Sequence, residues 1–303
     1  MSAPSLYAGG SRGFIVVAVL WILAALSALV LIYLSYVTNT ATTVAYATAR
    51  VQSEAALQGA VELAAYQLGS VRTEQRPAGG SFTARMGTAR LAVDFRTEAA
   101  RIDLNAAPKS LLAGLMIGLG TAPANAASYA DRIVAWRTPA ASSEDDAENS
   151  SYRAAGHSYL PRHAPFPAVE ELWLVQGIPP PLIERMLPYL TVFSNLASVN
   201  IAEAAPQVLA ALPGMTPERL QALLQERSDP RTDPSLLVQR GGDAASNAVS
   251  KAYRLAITAE FESGRRAVAE VVILLLEDGD ELYRVVSWRD VSDRAPTRQA
   301  GLR

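Results

Sequence analysis

The chain contains no cysteine and only two histidines, and its 27 basic residues nearly balance its 29 acidic ones. The first absence removes disulfides and thiolate metal sites, but leaves the compartment open, because an exported protein can do without either. The second leaves little for acid–base chemistry. His157 and His163 stand six apart in a Pro-rich loop, which is neither the i, i+4 spacing of a helical metal pair nor a base beside its orienting acid. Both read as surface residues. No Gly-x-Ser-x-Gly elbow and no phosphate-cradling glycine loop occurs; no catalytic residue is assigned and no enzyme is expected. Without a basic excess, the chain also lacks the electrostatic footprint of a nucleic-acid binder.

Charge is missing altogether from the run FIVVAVLWILAALSALVLIYL, Phe14 to Leu34. As a helix it is about 31 Å long, close to the hydrocarbon thickness of a bilayer. It is too long for an ordinary signal-peptide core, and no small-x-small cleavage site follows it, so it is expected to stay in the mature protein. The leader before it carries one charged side chain, Arg12. By the positive-inside rule this places the N-terminus in the cytoplasm and the bulk outside it. From hydropathy alone the run is a signal anchor that tethers a soluble domain.

Beyond the run, Val44, Val51, Ala55, Val61, Ala65 and Leu68 recur at helical intervals with no Pro before Gly69, which predicts one helix from Phe14 to about Gly69. Arg72 to Gly80 reads as the loop out of it. Two strands follow, Ser81–Met86 and Arg90–Arg96. Alternating or β-branched segments reappear at Tyr253–Phe261, Val268–Leu276 and Leu282–Trp288, separated by Ser263-Gly264 and Asp278-Gly279 turns. If the early and late strands share a sheet, the largely helical middle is an insertion. At 303 residues and 50% hydrophobic composition, the chain can build a membrane helix and one or two cores.

The middle holds a faint repeat. Asp103-Leu104-Asn105-Ala106-Ala107-Pro108 opens one helical segment and Val199-Asn200-Ile201-Ala202-Glu203-Ala204-Ala205-Pro206 another. In each, an Asn before a short Ala-rich turn and a Pro is expected to cap free backbone amides. Val175-Gln176-Gly177-Ile178 and Leu212-Pro213-Gly214-Met215 have the form of a helix-hairpin-helix turn. Such turns often hold DNA backbones through amides at a helix N-terminus. Only Arg185 and Arg219 lie near the two glycines, so a packing hairpin is the favoured reading and nucleic acid the competing one.

The junction Ser11-Arg12-Gly13-Phe14, followed at once by the apolar run, resembles the class III signal of type IV pilins and type II secretion pseudopilins. The resemblance implies that a prepilin peptidase cuts between Gly13 and Phe14 and methylates the new amino terminus. Most such subunits carry Glu at the fifth mature position, where it balances the amine of a neighbouring subunit; here that position is Ala18. A subunit without the carboxylate cannot supply that charge in lipid, which fits a subunit with nothing above it. Taken with Ile102-Asp103-Leu104-Asn105, the segments Phe166–Ile178 (FPAVEELWLVQGI) and Leu187–Val192 (LPYLTV), the Val199-Asn200 motif and the terminal meander, the chain is similar to the K-type minor pseudopilins, the general secretion pathway protein K family. That resemblance covers Gly13 to about Asp290.

It implies an α+β protein: a long N-terminal transmembrane helix, a pilin-like antiparallel head and a large inserted all-helical domain. The expected division is leader 1–13, transmembrane helix 14–37, its periplasmic continuation 38–70, a head from 71–103 and 196–294, the helical insertion 104–195 and a tail 295–303. The implied role is a single-pass subunit of the bacterial inner membrane, set among its lipids at the pseudopilus tip. There it would join I- and J-type minor pseudopilins, start assembly and support export of folded proteins across the outer membrane. The alternatives are a minor pilin-like protein for DNA uptake or adhesion, and a simple anchored binding domain. Some relatives hold calcium in an acidic loop of the insertion, which corresponds here to Trp136–Gly156. Asp145, Asp146, Glu148 and Asn149 would supply oxygens, and Tyr152 keeps the family's register, but Thr138 and Pro139 stand where acids are expected. A solvated acidic loop is the plainer reading.

Overall fold

The computed structural model describes residues 11–139, 147–229, 231–277, 279 and 281–291. It divides into two compact units, Met1–Ala55 and Ala56–Arg303. Helix α1 runs Ser11–Gly69. In the first unit its Ile15–Tyr36 stretch is, among the described residues, the one helix long and apolar enough to cross a membrane. Its side chains are exposed, Trp21 by 74% and Leu31 by 67%.

In the second unit, α1 is followed by strands β1 (Gly79–Met86), β2 (Ala89–Thr97) and β3 (Ile102–Asp103). Helices α2 (Lys109–Gly118), α3 (Pro123–Arg137), α4 (Ala147–Ala154) and α5 (Pro180–Met186) lead to strand β4 (Leu190–Thr191). Strand β5 (Val199–Asn200), helices α6 (Pro206–Ala210), α7 (Pro217–Arg227) and α8 (Pro234–Gly241), and strand β6 (Ala245–Ser246) come next. The chain then returns through β7 (Ala252–Phe261), β8 (Arg266–Leu275) and β9 (Tyr283–Asp290). The large sheet has the order β1-β2-β7-β8-β9 and is antiparallel throughout. Because β2 pairs directly with β7, the early and late strands share one sheet and everything between them is inserted into it.

One sheet face carries Leu91, Val93, Leu255, Ile257, Val271 and Ile273, each at the period of two that a half-covered strand shows. The end of α1 covers it with Ala56, Leu57, Ala60, Val61, Ala64, Ala65 and Leu68. This stripe differs from the expected one: Val51 and Ala55 are exposed, while alanines that add little to a hydropathy count supply most of the contact. Their small side chains let the helix backbone approach the pleat closely, so burial comes from proximity more than from bulk.

The second core runs from Ile102 to Ala245 and includes Leu104, Leu112, Ile133, Trp136, Tyr152, Val199, Val208 and Leu223. It therefore draws in residues 199–245, which the expected division put with the sheet head. The insertion is also less helical than expected, because His157–Ala168 contains no helix. Two parallel two-residue ladders close the region, β3 with β4 and β5 with β6.

Glu98 joins the two cores. It is 1% exposed. Its carboxylate accepts from Arg254 Nε at 2.7 Å and Nη2 at 3.1 Å, and from the hydroxyl of Thr191. Arg254 also donates to Glu270 at 2.6 Å. A buried carboxylate holds its charge only with partners of this kind, and here they come from β4 and β7, with Glu270 of β8 holding the far side of Arg254.

Candidate functional site

Gly13 and Phe14 lie in the first turn of α1, which starts at Ser11. Ala18 is half-buried one turn further on, between exposed Val17 and Val19. The junction is thus continuous with the apolar helix.

The acidic loop is divided. Asp145 and Asp146 lie outside the described residues, whereas Glu148 and Asn149 fall in the first turn of α4. Asn149 is buried, with Oδ1 3.2 Å from His163 Nε2, while His163 Nδ1 is 3.2 Å from the Thr138 carbonyl. His163 therefore spans the two ends of the loop rather than standing on the surface as expected. His157 is half-buried too, packed on the rings of Tyr152 and Tyr159 at 5.4 and 5.0 Å. Among the described residues no group of three His, Cys, Asp or Glu comes together. Since a hard cation needs six to eight oxygens, Glu148 and Asn149 do not make a calcium site by themselves.

Behind α4 the insertion is tied by an aromatic and ionic cluster. Trp136 stacks on Phe166 at 6.2 Å, and its Nε1 donates to Glu171 at 3.0 Å. Glu171 in turn pairs with Arg162 at 2.5 Å. The Tyr152 hydroxyl accepts from the Gln176 amide at 2.7 Å. Burial pushes that hydroxyl's pKa up to about 12.

The repeat is real, but its register is not the expected one. Asp103, not Asn105, matches Asn200. Asp103 Oδ1 accepts from the Asn105 amide at 2.7 Å, as Asn200 Oδ1 accepts from Ala202 and Glu203 at 3.1 Å. Asn105 instead clasps the Phe166 backbone, donating at 2.9 Å and accepting at 2.7 Å. A carboxylate suits the first copy because Asp103 Oδ2 must also accept from Ser194 Oγ at 2.9 Å and the Asn195 amide at 2.8 Å.

Arginine completes each copy. Arg137, the last residue of α3, donates to the Leu104 and Ala107 carbonyls. Arg227, the last residue of α7, donates to those of Ile201 and Ala204. Burial holds both guanidinium pKa values below the ordinary range. The signal for this was present as a Gly-x-x-Pro spacing used three times: Gly120–Pro123, Gly177–Pro180 and Gly214–Pro217. In each the Gly has positive φ, 90°, 77° and 71° in turn, and the Pro opens a helix. The first of these turns escaped the sequence reading.

A guanidinium covers a carbonyl at every turn. Arg185 reaches Leu119, Arg132 reaches Gln176 and Arg219 reaches Gly214, each at 2.7 Å. Arg185 and Arg219, the basic residues a DNA backbone would need, are thus engaged by the protein's own main chain. The geometry is that of packing hairpins.

Residues 93–195 match the family model for type II secretion system (T2SS), protein K. A search of curated protein sequences returns no match. Among solved structures, a chain in the crystal structure of the GspK–GspI–GspJ complex from the enterotoxigenic Escherichia coli type 2 secretion system is similar. The match covers 84% of this chain and 99% of that one, at 19% identity and a TM-score of 0.56. At that identity the likeness is one of fold.

Proposed function

We propose that the chain, which is similar to type II secretion protein K over residues 93–195 and shares a fold with a chain of the GspK–GspI–GspJ complex, is a minor pseudopilin placed at the pseudopilus tip. The observation that carries this reading is the junction: Gly13-Phe14 at the head of an exposed apolar helix, with Ala18 at the fifth position behind the cut. An ammonium in lipid needs a carboxylate partner. A subunit without one can accept neighbours beneath it but has no charge to offer an amine above.

In this reading a prepilin peptidase removes residues 1–13. The Ile15–Tyr36 stretch anchors the mature chain once across the inner membrane, N-terminus in the cytoplasm and bulk in the periplasm. Its partners are I- and J-type minor pseudopilins, by analogy with the complex whose chain shares the fold, and its work is to start assembly and support export of folded proteins. The role is structural. Calcium enters only if Asp145 and Asp146 add to the oxygens of Glu148 and Asn149, which would have to give up His163.

The test is co-expression with a prepilin peptidase and both partner pseudopilins. The expected product begins at N-methylated Phe14 and co-purifies with the I- and J-type subunits, and Ala18→Glu lowers secretion by burying a carboxylate without an amine. An intact Met1 leader in peptidase-active cells, or full secretion with Glu at position 18, sinks the proposal.

A further inference from the structure

On the sheet face turned away from α1, two clefts of about 490 and 390 Å³ adjoin and share Arg101, Pro188, Arg254 and Glu270. Together they run from Gly80 on β1 to Arg289 on β9, with the helical region as the opposite wall. Five strands at about 4.8 Å spacing make this roughly 19 Å, the length of about six extended residues. The floor is polar, and its other arginines are matched. Arg96 pairs with Glu203 at 3.1 Å, Arg289 with Glu170 at 2.9 Å and Arg254 with both Glu98 and Glu270.

Arg101 is the exception. Half-buried where the clefts meet, its guanidinium makes no hydrogen bond and no ion pair among the described residues. Burial, and then the nearby Arg254 charge, hold its pKa below the ordinary range. Glu98 and Glu270 attract it at longer range, but their oxygens are already bound to Arg254. What the site lacks is an acceptor rather than net negative charge. Elsewhere this chain spends its partly buried guanidiniums on acceptors, as with Arg137 and Arg227. A guanidinium has five donors in a fork that fits a carboxylate. No nitrogen of Arg101 is shut off from solvent, so the fork is open to an incoming acceptor in place of water.

We propose that this groove binds an extended segment of a partner protein, with one carboxylate of that segment forked on Arg101. The carboxylates of Glu98, Glu270 and Asp94 around it disfavour a multiply charged anion, so a lone Glu or Asp among neutral residues is the matching sequence. The length of the groove selects a peptide over a free acid. The proposal stands on the groove alone and does not depend on where the subunit sits in a filament.

The test uses the full chain in detergent and a fluorescently labelled, end-blocked hexapeptide, Ser-Ala-Glu-Ala-Ser-Ala, read by anisotropy. Its Gln analogue is expected to bind at least about tenfold more weakly, the effect of losing a charged hydrogen bond. Acetate and inorganic phosphate are expected not to compete at matched concentration. Arg101→Gln should abolish the difference between the Glu and Gln peptides while leaving the melting temperature unchanged. Ala256→Trp, which fills the exposed floor of the groove, should remove binding of both. Absence of peptide binding, equal affinity for the two peptides, full competition by acetate or phosphate, or a large fall in melting temperature in Arg101→Gln would each overturn the proposal. The last would make Arg101 a structural counter-ion to Glu98 and Glu270.

Discussion

In the sheet the main chain pairs with itself over long registers, from Gly79↔Arg96 to Met86↔Ala89 between β1 and β2, and from Ala89↔Phe261 to Thr97↔Tyr253 between β2 and β7. The helices between Ile102 and Ser246 have no such scaffold, only two ladders of two pairs each. Their ends are instead tied by side chains: Asp103 and Asn200 fold the entry turns, and arginines hold carbonyls that would otherwise be left over where helices begin and end. One region is specified by backbone periodicity and the other by a few polar residues at fixed places. The sheet should therefore tolerate single polar substitutions better than the helical region does.

The largest effect is expected where the two regions share a residue. Glu98→Ala leaves Arg254 half-buried with only Glu270 and strips the acceptor from Thr191, and should cost about 3–5 kcal/mol. Denaturant unfolding is expected to show a lower midpoint and a broader transition as the cores uncouple. A stability within about 1 kcal/mol of wild type would mean that packing alone joins them. Next come Arg137→Lys and Arg227→Lys. Lysine keeps the charge but loses the fork that spans two carbonyls, so each should cost about 1–3 kcal/mol. If both are silent, the helical region is held by its apolar core like any other, and the contrast with the sheet disappears.

The same contrast explains what could be read from the sequence. Alternation at Leu91, Val93 and Phe95 and at Tyr253, Leu255 and Ile257 revealed the sheet, because a strand's period of two is local. The proposed roles of the Gly13-Phe14 junction and Ala18 rest on the sequence alone, since the apolar run fixes their place in the chain. The helical region resisted, since its determinants act across space. Asn105 looked like a cap and is a clasp for Phe166, 61 residues away. Nothing local separates Arg137 and Arg227 from any other basic residue at a helix end. The stripe on α1 was shifted because alanine counts little toward hydropathy but packs well. Arg101 carries no sequence signal at all; what sets it apart is the lack of a partner.

The smallest expected effect compares the cores through one tyrosine in each. Burial raises the pKa of Tyr152 in the helical region and of Tyr253 in the sheet to about 12, from 10.0. The neutral hydroxyl is the form the fold favours, so this contribution is complete below about pH 10 and is lost as pH rises through about 12. Tyr253 donates to the Pro77 carbonyl at 3.0 Å, and Tyr253→Phe should cost about 1 kcal/mol at neutral pH. Tyr152→Phe should cost somewhat more, because it orphans the Gln176 amide beside the Gly177 turn. In an alkaline titration followed by tyrosinate absorbance and circular dichroism, wild type is expected to unfold in one step between pH 10 and 12. Either substitution should then move that single step to higher pH, since removing a group that must ionise removes its drive to unfold. Two separate steps, each moved by only one substitution, would show that Glu98 does not couple the cores. The difference between the regions would then extend from how they are built to how they come apart.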